Sequence, residues 1–91
     1  MKIIAVCGMG IGTSILLKMN IDKALAKLDV EADVEAADIS SARGSASSAD
    51  LVMTSSELAE QLGQLDVPVV IVDNFTDINE IEDKLVDELD L

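Results

Sequence analysis

The sequence predicts an α/β fold, in which one open sheet of four parallel strands in the order 2-1-3-4 carries helices on both faces. Strand-like apolar segments alternate with segments of helical periodicity along the 91 residues, a pattern typical of right-handed crossovers. The chain is 49% hydrophobic but only 1% aromatic, so its core must be aliphatic, as suits parallel strands buried on both faces. We expect residues 1–91 to form a single domain.

The first half of the chain predicts a strand, a long helix and an outer strand. Residues 2–7 are an apolar run that ends at a glycine cluster, which indicates a buried strand. Residues 13–28 place apolar side chains on one helical face, and we expect Thr13 or Ser14 to cap this helix. Residues 32–39 alternate weakly between apolar and acidic residues, which predicts a strand at the edge of the sheet.

The middle of the chain predicts an irregular segment, a third strand and a short helix. Residues 40–49 are mostly small and polar, which favours a loop or an irregular helical turn. Residues 50–54 form the third strand. Ser55 or Ser56 is expected to cap a helix that runs through Leu62.

The end of the chain predicts a fourth strand and a final helix. Gly63 stops the preceding helix, and residues 67–72 form the strand, with Pro68 at its beginning, where a missing N–H is tolerated. Asp77 and Glu80 have the spacing of a capping box. The final helix is expected to turn five apolar residues inward: Ile78, Ile81, Leu85, Val86 and Leu89.

Composition excludes several classes of function. The net charge of −12 argues against a nucleic-acid partner, because neutralising phosphates requires a basic patch. A single cysteine and no histidine leave no internal disulfide and no common metal site, so we expect no metal. The chain has no signal-peptide layout and no apolar run of membrane length, so we expect a cytoplasmic protein without membrane insertion.

Positive charge is concentrated at the beginning of the chain. Residues 1–28 contain four lysines and one aspartate, a net charge of +3. Residues 29–91 contain two basic and seventeen acidic residues, a net charge of −15. The segment that holds Cys7 is therefore the only net positive part of the sequence, although a solvated helix face explains its lysines equally well.

The loop after the first strand joins a nucleophile to an anion cradle. Cys7 is followed by three glycines in five positions and then by hydroxyl groups. Glycines let the backbone turn tightly and direct amides inward, and inward amides at a helix N-terminus bind anions. The same positive helix end lowers the pKa of a thiol. A buried structural cysteine is the alternative. The setting favours a phosphoryl-carrying thiol next to an anion cradle, to which Thr13 and Ser14 add hydroxyl donors.

Related glycine-rich motifs match less well. A dinucleotide fingerprint has a third glycine where this chain has Thr13, and a Walker A loop has lysine where this chain has Gly12. The predicted fold is Rossmann-like and phosphatase-like, so a Cys-dependent phosphatase is the nearest comparison. Such a phosphatase has arginine where this chain has Thr13. Without that guanidinium, no bidentate clamp holds the phosphoryl group. We hypothesise that its absence suits a carrier, which must not lose the group to water.

The loop and the helix after it resemble a known family. The run from Ile4 to Ser14, followed by Leu17, Lys18 and Met19, is similar to enzyme IIB components of the bacterial sugar phosphotransferase system (PTS), most closely the ascorbate type within the lactose/cellobiose and galactitol-like group. The resemblance covers essentially the whole chain, and the loop is its specific part.

The resemblance implies a function, partners and site residues. Cys7 would be the catalytic nucleophile, accepting a phosphoryl group from a phosphohistidine of enzyme IIA and passing it to a sugar on membrane enzyme IIC. The phosphoryl group would be cradled by the backbone of the residues after Cys7: Gly8, Met9, Gly10, Ile11, Gly12, Thr13 and Ser14. This is the activity of a protein-phosphohistidine–sugar phosphotransferase, and no cofactor is implied. Ascorbate is the expected sugar, and galactitol or another sugar is the alternative. A small Cys-dependent phosphatase and an anion-binding module without catalysis are the competing functions.

Residues near the loop have two interpretations each. Met9 and Ile11 are expected at the surface and Ile15 or Leu16 partly buried, either as an apolar rim that docks enzyme IIA or as ordinary packing. A second group either faces the site or serves as helix caps and solvated surface: Arg43, Ser55, Ser56, Asp73 and Asn74.

Overall fold

The sheet contains four parallel strands in the order β2-β1-β3-β4, which confirms the predicted fold class and order. The computed structural model describes residues 1–6 and 11–91, without the side chains of residues 11–14. The strands are β1 (Lys2–Val6), β2 (Asp33–Ala37), β3 (Leu51–Thr54) and β4 (Val69–Ile71). The helices are α1 (Ile11–Lys27), α2 (Ile39–Ser45), α3 (Ser56–Leu62) and α4 (Ile78–Leu89).

The two central strands are buried on both faces, as their continuous apolar runs predict. Ile3 and Ala5 of β1 point to the face covered by α1 and α4, where they join one core cluster. Ile4 and Val6 point to the opposite face, where a second cluster contains Ala42 of α2. Helices therefore cover both faces of the sheet.

Helix α1 contributes the largest share of side chains to the first cluster. Its buried residues are spaced at helical intervals: Leu17, Ile21, Ala24 and Leu25. The facing residues of α4 are Ile81 and Leu85, both completely buried, with Ile78 and Leu89 packed against them in partial burial. Four of the five apolar residues predicted to face inward thus do so, and Val86 is half-buried.

The serine-rich segment is more regular than the sequence indicates. Helix α2 occupies Ile39–Ser45, where a loop or irregular turn was expected, and a short 3₁₀ turn follows at Ala46–Ser48. Asp38 caps α2 by accepting the Ser41 N–H at 2.7 Å. Ala42 and Ala46, four residues apart, are buried against the sheet. The cap and this small buried stripe stabilise a helix that composition alone disfavours.

The predicted boundaries of α3 and α4 are confirmed. Ser55 caps α3, and Gly63 ends it with a φ of 70°, which glycine adopts without strain. Asp77 caps α4 through the N–H of Glu80 at 3.2 Å. Pro68 lies just before β4, and its carbonyl accepts the Val52 N–H at 3.0 Å. Within the described residues, no helix is both long enough and apolar enough to cross a membrane.

Candidate functional site

The predicted site lies between the end of β1 and the beginning of α1. β1 ends at Val6 and α1 begins at Ile11, so the connecting loop follows the carboxyl end of a central strand. Four of the predicted site residues lie outside the described residues: Cys7, Gly8, Met9 and Gly10. The other four belong to the first turn of α1, and their side chains also lie outside the described part: Ile11, Gly12, Thr13 and Ser14.

The expected cap at Thr13 or Ser14 is wrong, because α1 begins at Ile11. The apolar periodicity of the helix becomes regular only at Leu17, so it does not mark the first turn. The backbone amides of a first turn have no partners within the helix, and they lie at the positive end of its dipole. Four residues of the predicted cradle therefore occupy the part of a helix that attracts anions.

The topology places this loop at the point where the strand order reverses. From β1 the chain passes to β2, which pairs with one edge of β1, and then to β3, which pairs with the other edge of β1. Ligands of open α/β sheets bind at the carboxyl ends of the strands at such a point. The carboxyl ends of β1 and β3 are therefore the two strand ends that border the site.

A hydrogen bond joins these two strand ends. The Oγ1 atom of Thr54, the last residue of β3, donates to the carbonyl oxygen of Val6 at 2.9 Å. Both residues are completely buried. Val6 directly precedes Cys7, so the strand that leads into the predicted nucleophile is fixed at its last residue.

Three apolar side chains that follow the first turn of α1 are exposed. Ile15, Leu16 and Met19 are 46%, 37% and 49% exposed, and we call them the apolar strip. The expectation that Ile15 or Leu16 is partly buried is therefore wrong. The reason is that α1 packs on the sheet through Leu17, Ile21 and its other buried residues, and this leaves the strip on a different side of the helix.

The loop between β4 and α4 is fixed by polar contacts at the same edge of the sheet. The Nδ2 atom of Asn20, a buried residue of α1, donates to the Phe75 carbonyl oxygen at 2.6 Å. The Glu80 carboxylate accepts the N–H groups of Asp73 and Asn74 at 2.7 and 2.9 Å. The loop is therefore tied both to α1 and to α4.

Ser55 and Arg43, which the sequence assigned either to the site or to helix caps and surface, make structural contacts. The Ser55 hydroxyl accepts the Leu58 N–H at 3.3 Å, which is the helix-cap role. Ser56 is the exposed first residue of α3. The Arg43 guanidinium is exposed and donates to the Gln61 carbonyl oxygen, so it connects α2 to the last turn of α3. The described contacts of Ser55 and Arg43 are therefore structural: the first caps α3 and the second joins α2 to α3.

Asp73 and Asn74 also make hydrogen bonds within the segment between β4 and α4. The Asn74 Oδ1 atom accepts the Thr76 N–H at 3.0 Å and the Thr76 hydroxyl at 2.6 Å. The amide of Asp73 donates to Glu80, while its side chain is exposed. These contacts form a compact turn before α4.

One carboxylate at this edge of the sheet has a shifted pKa. Asp38 follows the edge strand β2, which pairs with β1. Hydrogen bonds from the Ser41 backbone, and then from its side chain, lower the pKa of the Asp38 carboxyl below its ordinary value. Its negative charge is therefore retained to lower pH in the folded chain.

Sequence reasoning missed two buried polar residues that fix backbone carbonyls at this edge of the sheet. Thr54 ends the apolar run of β3, and Asn20 interrupts the apolar face of α1. Both are buried and hydrogen-bonded. A polar residue on an otherwise apolar face was the available signal, because a buried polar group requires a partner. The partner itself is set by the tertiary structure.

Known proteins are similar in sequence to this chain over most of its length. The family model described as "PTS system, Lactose/Cellobiose specific IIB subunit" matches residues 2–87. An ascorbate-specific PTS system EIIB component of Mycoplasma pneumoniae is 36% identical over 86 residues, which are 93% of this chain and 90% of that protein. The component of the same name from Escherichia coli O157:H7 is 30% identical over 61 residues, which are 67% of this chain and 60% of that protein.

A solved structure shares the fold. The lactose-specific IIB domain of Streptococcus pneumoniae superposes with a TM-score of 0.64 at 18% identity, covering 99% of this chain and 95% of that one. IIB components of the phosphotransferase system work with IIA and IIC partners. From the match over residues 2–87 and the likeness to the M. pneumoniae protein, this chain belongs to the lactose/cellobiose-type IIB family and is a phosphoryl-transfer component of that system.

Proposed function

We propose that Cys7 accepts a phosphoryl group from a phosphohistidine of enzyme IIA and passes it to ascorbate bound by a membrane enzyme IIC. The observation that supports this proposal is the position of Cys7 in the sequence relative to β1 and α1. The only cysteine of the chain directly follows the central strand β1, where the strand order reverses, and it precedes the N-terminus of α1. A phosphoryl-transfer component needs a nucleophile, and the place of Cys7 in the sequence, directly after β1, supports this assignment because open α/β sheets bind their ligands at the carboxyl ends of strands.

The first transfer exchanges a nitrogen–phosphorus bond for a sulfur–phosphorus bond. The Cys7 thiolate attacks phosphorus, the bond to the donor imidazole breaks, and its electron pair stays on the imidazole nitrogen. We assign the cradle to the backbone amides of the residues from Gly8 to Ser14, with hydroxyl donors from Thr13 and Ser14. The N-terminal turn of α1 supports this assignment, since its amides favour the phosphoryl oxygens.

The second transfer regenerates the thiolate. A sugar hydroxyl oxygen attacks phosphorus, the sulfur–phosphorus bond breaks with its electron pair on sulfur, and the hydroxyl proton leaves to solvent or a base on IIC. Ascorbate is proposed because both relatives described above carry ascorbate-specific names. Residues 1–91 act in this scheme as one IIB domain at the cytoplasmic side of the membrane, and the chain's own residues need no metal or cofactor.

The apolar strip supplies a docking surface for enzyme IIA. Ile15, Leu16 and Met19 are exposed on the helix that begins at the proposed cradle. A partner that covers them would bring its phosphohistidine to the loop and exclude water from the phosphoryl group. We expect Met19→Lys to raise the IIA concentration needed for half-maximal transfer. Ala26→Lys, at an exposed position near the other end of α1, is the matched control and should leave it unchanged.

Phosphoryl incorporation tests the proposal. The chain is incubated with labelled phosphoenolpyruvate, the general phosphotransferase proteins and a cognate enzyme IIA. Wild-type chain should take up one phosphoryl group per molecule, and Cys7→Ser should take up none or hold it inertly. Absence of label in the wild type, or steady release of phosphate from an aryl phosphate, would contradict the carrier function.

A second stage tests the sugar. Labelled chain is mixed with membranes that contain either an ascorbate or a galactitol enzyme IIC and the matching sugar. We expect label to move to ascorbate and to remain on the chain with galactitol. Transfer to galactitol alone would overturn the substrate while leaving the carrier function intact.

A further inference from the structure

Thr54 is a completely buried polar residue that contacts Val6, the residue directly before the proposed nucleophile in the sequence. Among the residues whose side chains the structure describes, only Thr54 and Asn20 are both polar and buried. Thr54 lies at the carboxyl end of β3, and its Oγ1 donates to the Val6 carbonyl oxygen at 2.9 Å. A buried hydroxyl within a hydrocarbon core is costly unless it is paired, and here it is paired with the last residue of β1.

This side-chain bond lies one residue beyond the backbone pairing of β1 and β3. The pairing runs through Ile3–Leu51 and Ile4–Val52 to Ala5–Met53. The Thr54 hydroxyl continues the connection to the next residue of β1. It thereby holds together two strands at the end where the chain leaves the sheet for the proposed site.

The hydroxyl is itself held firmly. The Thr54 carbonyl accepts the Val72 N–H at 2.8 Å, and Thr54 pairs with Ile71 in the β3–β4 ladder. A β-branched side chain has few accessible χ1 rotamers, so a fixed backbone leaves the hydroxyl little freedom. Thr54 is thus anchored to β4 by its backbone and to β1 by its side chain.

We propose that Thr54 is a positioning residue for Cys7, an inference that rests on the proposed function of Cys7. The Val6 carbonyl belongs to the same planar peptide unit as the Cys7 nitrogen. A hydrogen bond that fixes this carbonyl therefore fixes the orientation of the peptide plane from which the Cys7 residue departs. Thr54 touches neither phosphoryl group nor partner in this scheme; it acts through the backbone.

Removal of the hydroxyl leaves the shape of the core almost intact. Thr54→Val keeps the branched side chain but leaves the Val6 carbonyl without its donor. Because small misplacements of a reacting group cost up to about 100-fold in rate, we expect phosphoryl transfer from IIA to slow roughly 10- to 100-fold. Thr54→Ser keeps the donor and should restore most of the rate.

The experiment compares these variants in three measurements. Single-turnover transfer from phosphorylated IIA gives the rate, alkylation of Cys7 by iodoacetamide across pH gives thiol reactivity, and urea unfolding gives stability. Val52→Ala, in the same buried strand, is the matched control for lost stability. Thr54→Ala removes the same donor and replaces Thr54→Val if that variant does not fold.

The expected pattern is specific to a positioning role. Thr54→Val should slow transfer and shift the alkylation profile, whereas Val52→Ala should lose stability without either change. Wild-type transfer in Thr54→Val, or equal slowing in Val52→Ala, would overturn the inference. If the wild-type chain takes no label at all, the proposed function fails instead. The alkylation profile then still shows whether Thr54 controls Cys7.

Discussion

Replacement of Glu80 by alanine tests how the loop at the carboxyl edge of the sheet is fixed. The Glu80 carboxylate accepts the Asp73 and Asn74 N–H groups at 2.7 and 2.9 Å, while its own N–H donates to Asp77 at 3.2 Å. The spacing of Asp77 and Glu80 predicts a reciprocal capping box, yet the Asp77 N–H donates to the Asn74 carbonyl at 3.0 Å. The Glu80 side chain therefore binds the loop at Asp73 and Asn74 and does not complete a capping box with Asp77.

The size of the effect follows from two solvent-accessible hydrogen bonds. At about 0.5–1.5 kcal/mol per bond, with both at an exposed loop, Glu80→Ala should lower the free energy of unfolding by about 1–2 kcal/mol. Asp77→Ala removes the helix cap and should cost about 1 kcal/mol. Each kcal/mol corresponds to a fall in Tm of about 4–8 °C for a domain of this size.

Amide hydrogen exchange separates the two variants. Glu80→Ala should accelerate exchange at the Asp73 and Asn74 amides roughly 5- to 30-fold and spare the Glu80 amide. Asp77→Ala should produce the reverse pattern, and Asp77→Asn, which retains a capping oxygen, is its control. Faster exchange at the Asp77 amide in Glu80→Ala, with Asp73 and Asn74 unaffected, would show a reciprocal capping box and refute this reasoning.

Three further predictions concern stability. Leu85→Ala opens a cavity between α4 and the sheet and should cost about 2–5 kcal/mol in urea unfolding, and an effect no larger than that of half-buried Val86→Ala would contradict the packing. The pKa of the Asp38 carboxyl is lowered in the folded chain, so its stabilising contribution is fully present above the ordinary pKa of 3.8 and is lost as pH falls through the folded pKa. Asp38→Asn should therefore lack this fall in Tm at acid pH. Lys27→Met breaks an ion pair with Glu82 at 3.1 Å; the lysine side chain is 59% exposed but the Glu82 side chain only 18%. The variant leaves a largely buried carboxylate without its lysine, so urea unfolding should show a loss of about 1–3 kcal/mol that depends little on salt.

Much of the fold was predictable because its strongest signals are local. The central strands β1 and β3 are continuous apolar runs, and a strand buried on both faces has no other pattern. Ser55 and Gly63 mark the ends of α3 through chemistry that acts within a few residues. Helix α2 was not predicted, because Ala42 and Ala46 become a buried stripe only once the sheet is in place.

The connection between β1 and α1 was predictable from the sequence, but the contacts at the neighbouring strand ends were not. A cysteine after a strand, followed by glycines and a helix, gives the location of the loop from the sequence. The bond from Thr54 to Val6 joins residues 48 positions apart, and the bond from Asn20 to Phe75 joins residues 55 positions apart. Pairs so distant in sequence depend on strand order and helix packing. The exposure of Ile15 and Leu16 likewise depends on which face α1 packs against the sheet.

The central claim is that Cys7 carries the phosphoryl group, and peptide mapping by tandem mass spectrometry tests it most directly. Chain phosphorylated through enzyme IIA is digested at neutral pH, and the fragment that contains residues 3–18 is sequenced. The account predicts one phosphoryl group on the sulfur of Cys7 and its disappearance after incubation with IIC membranes and sugar. A phosphoryl group on Thr13, Ser14 or any other side chain, with Cys7 unmodified, would contradict it.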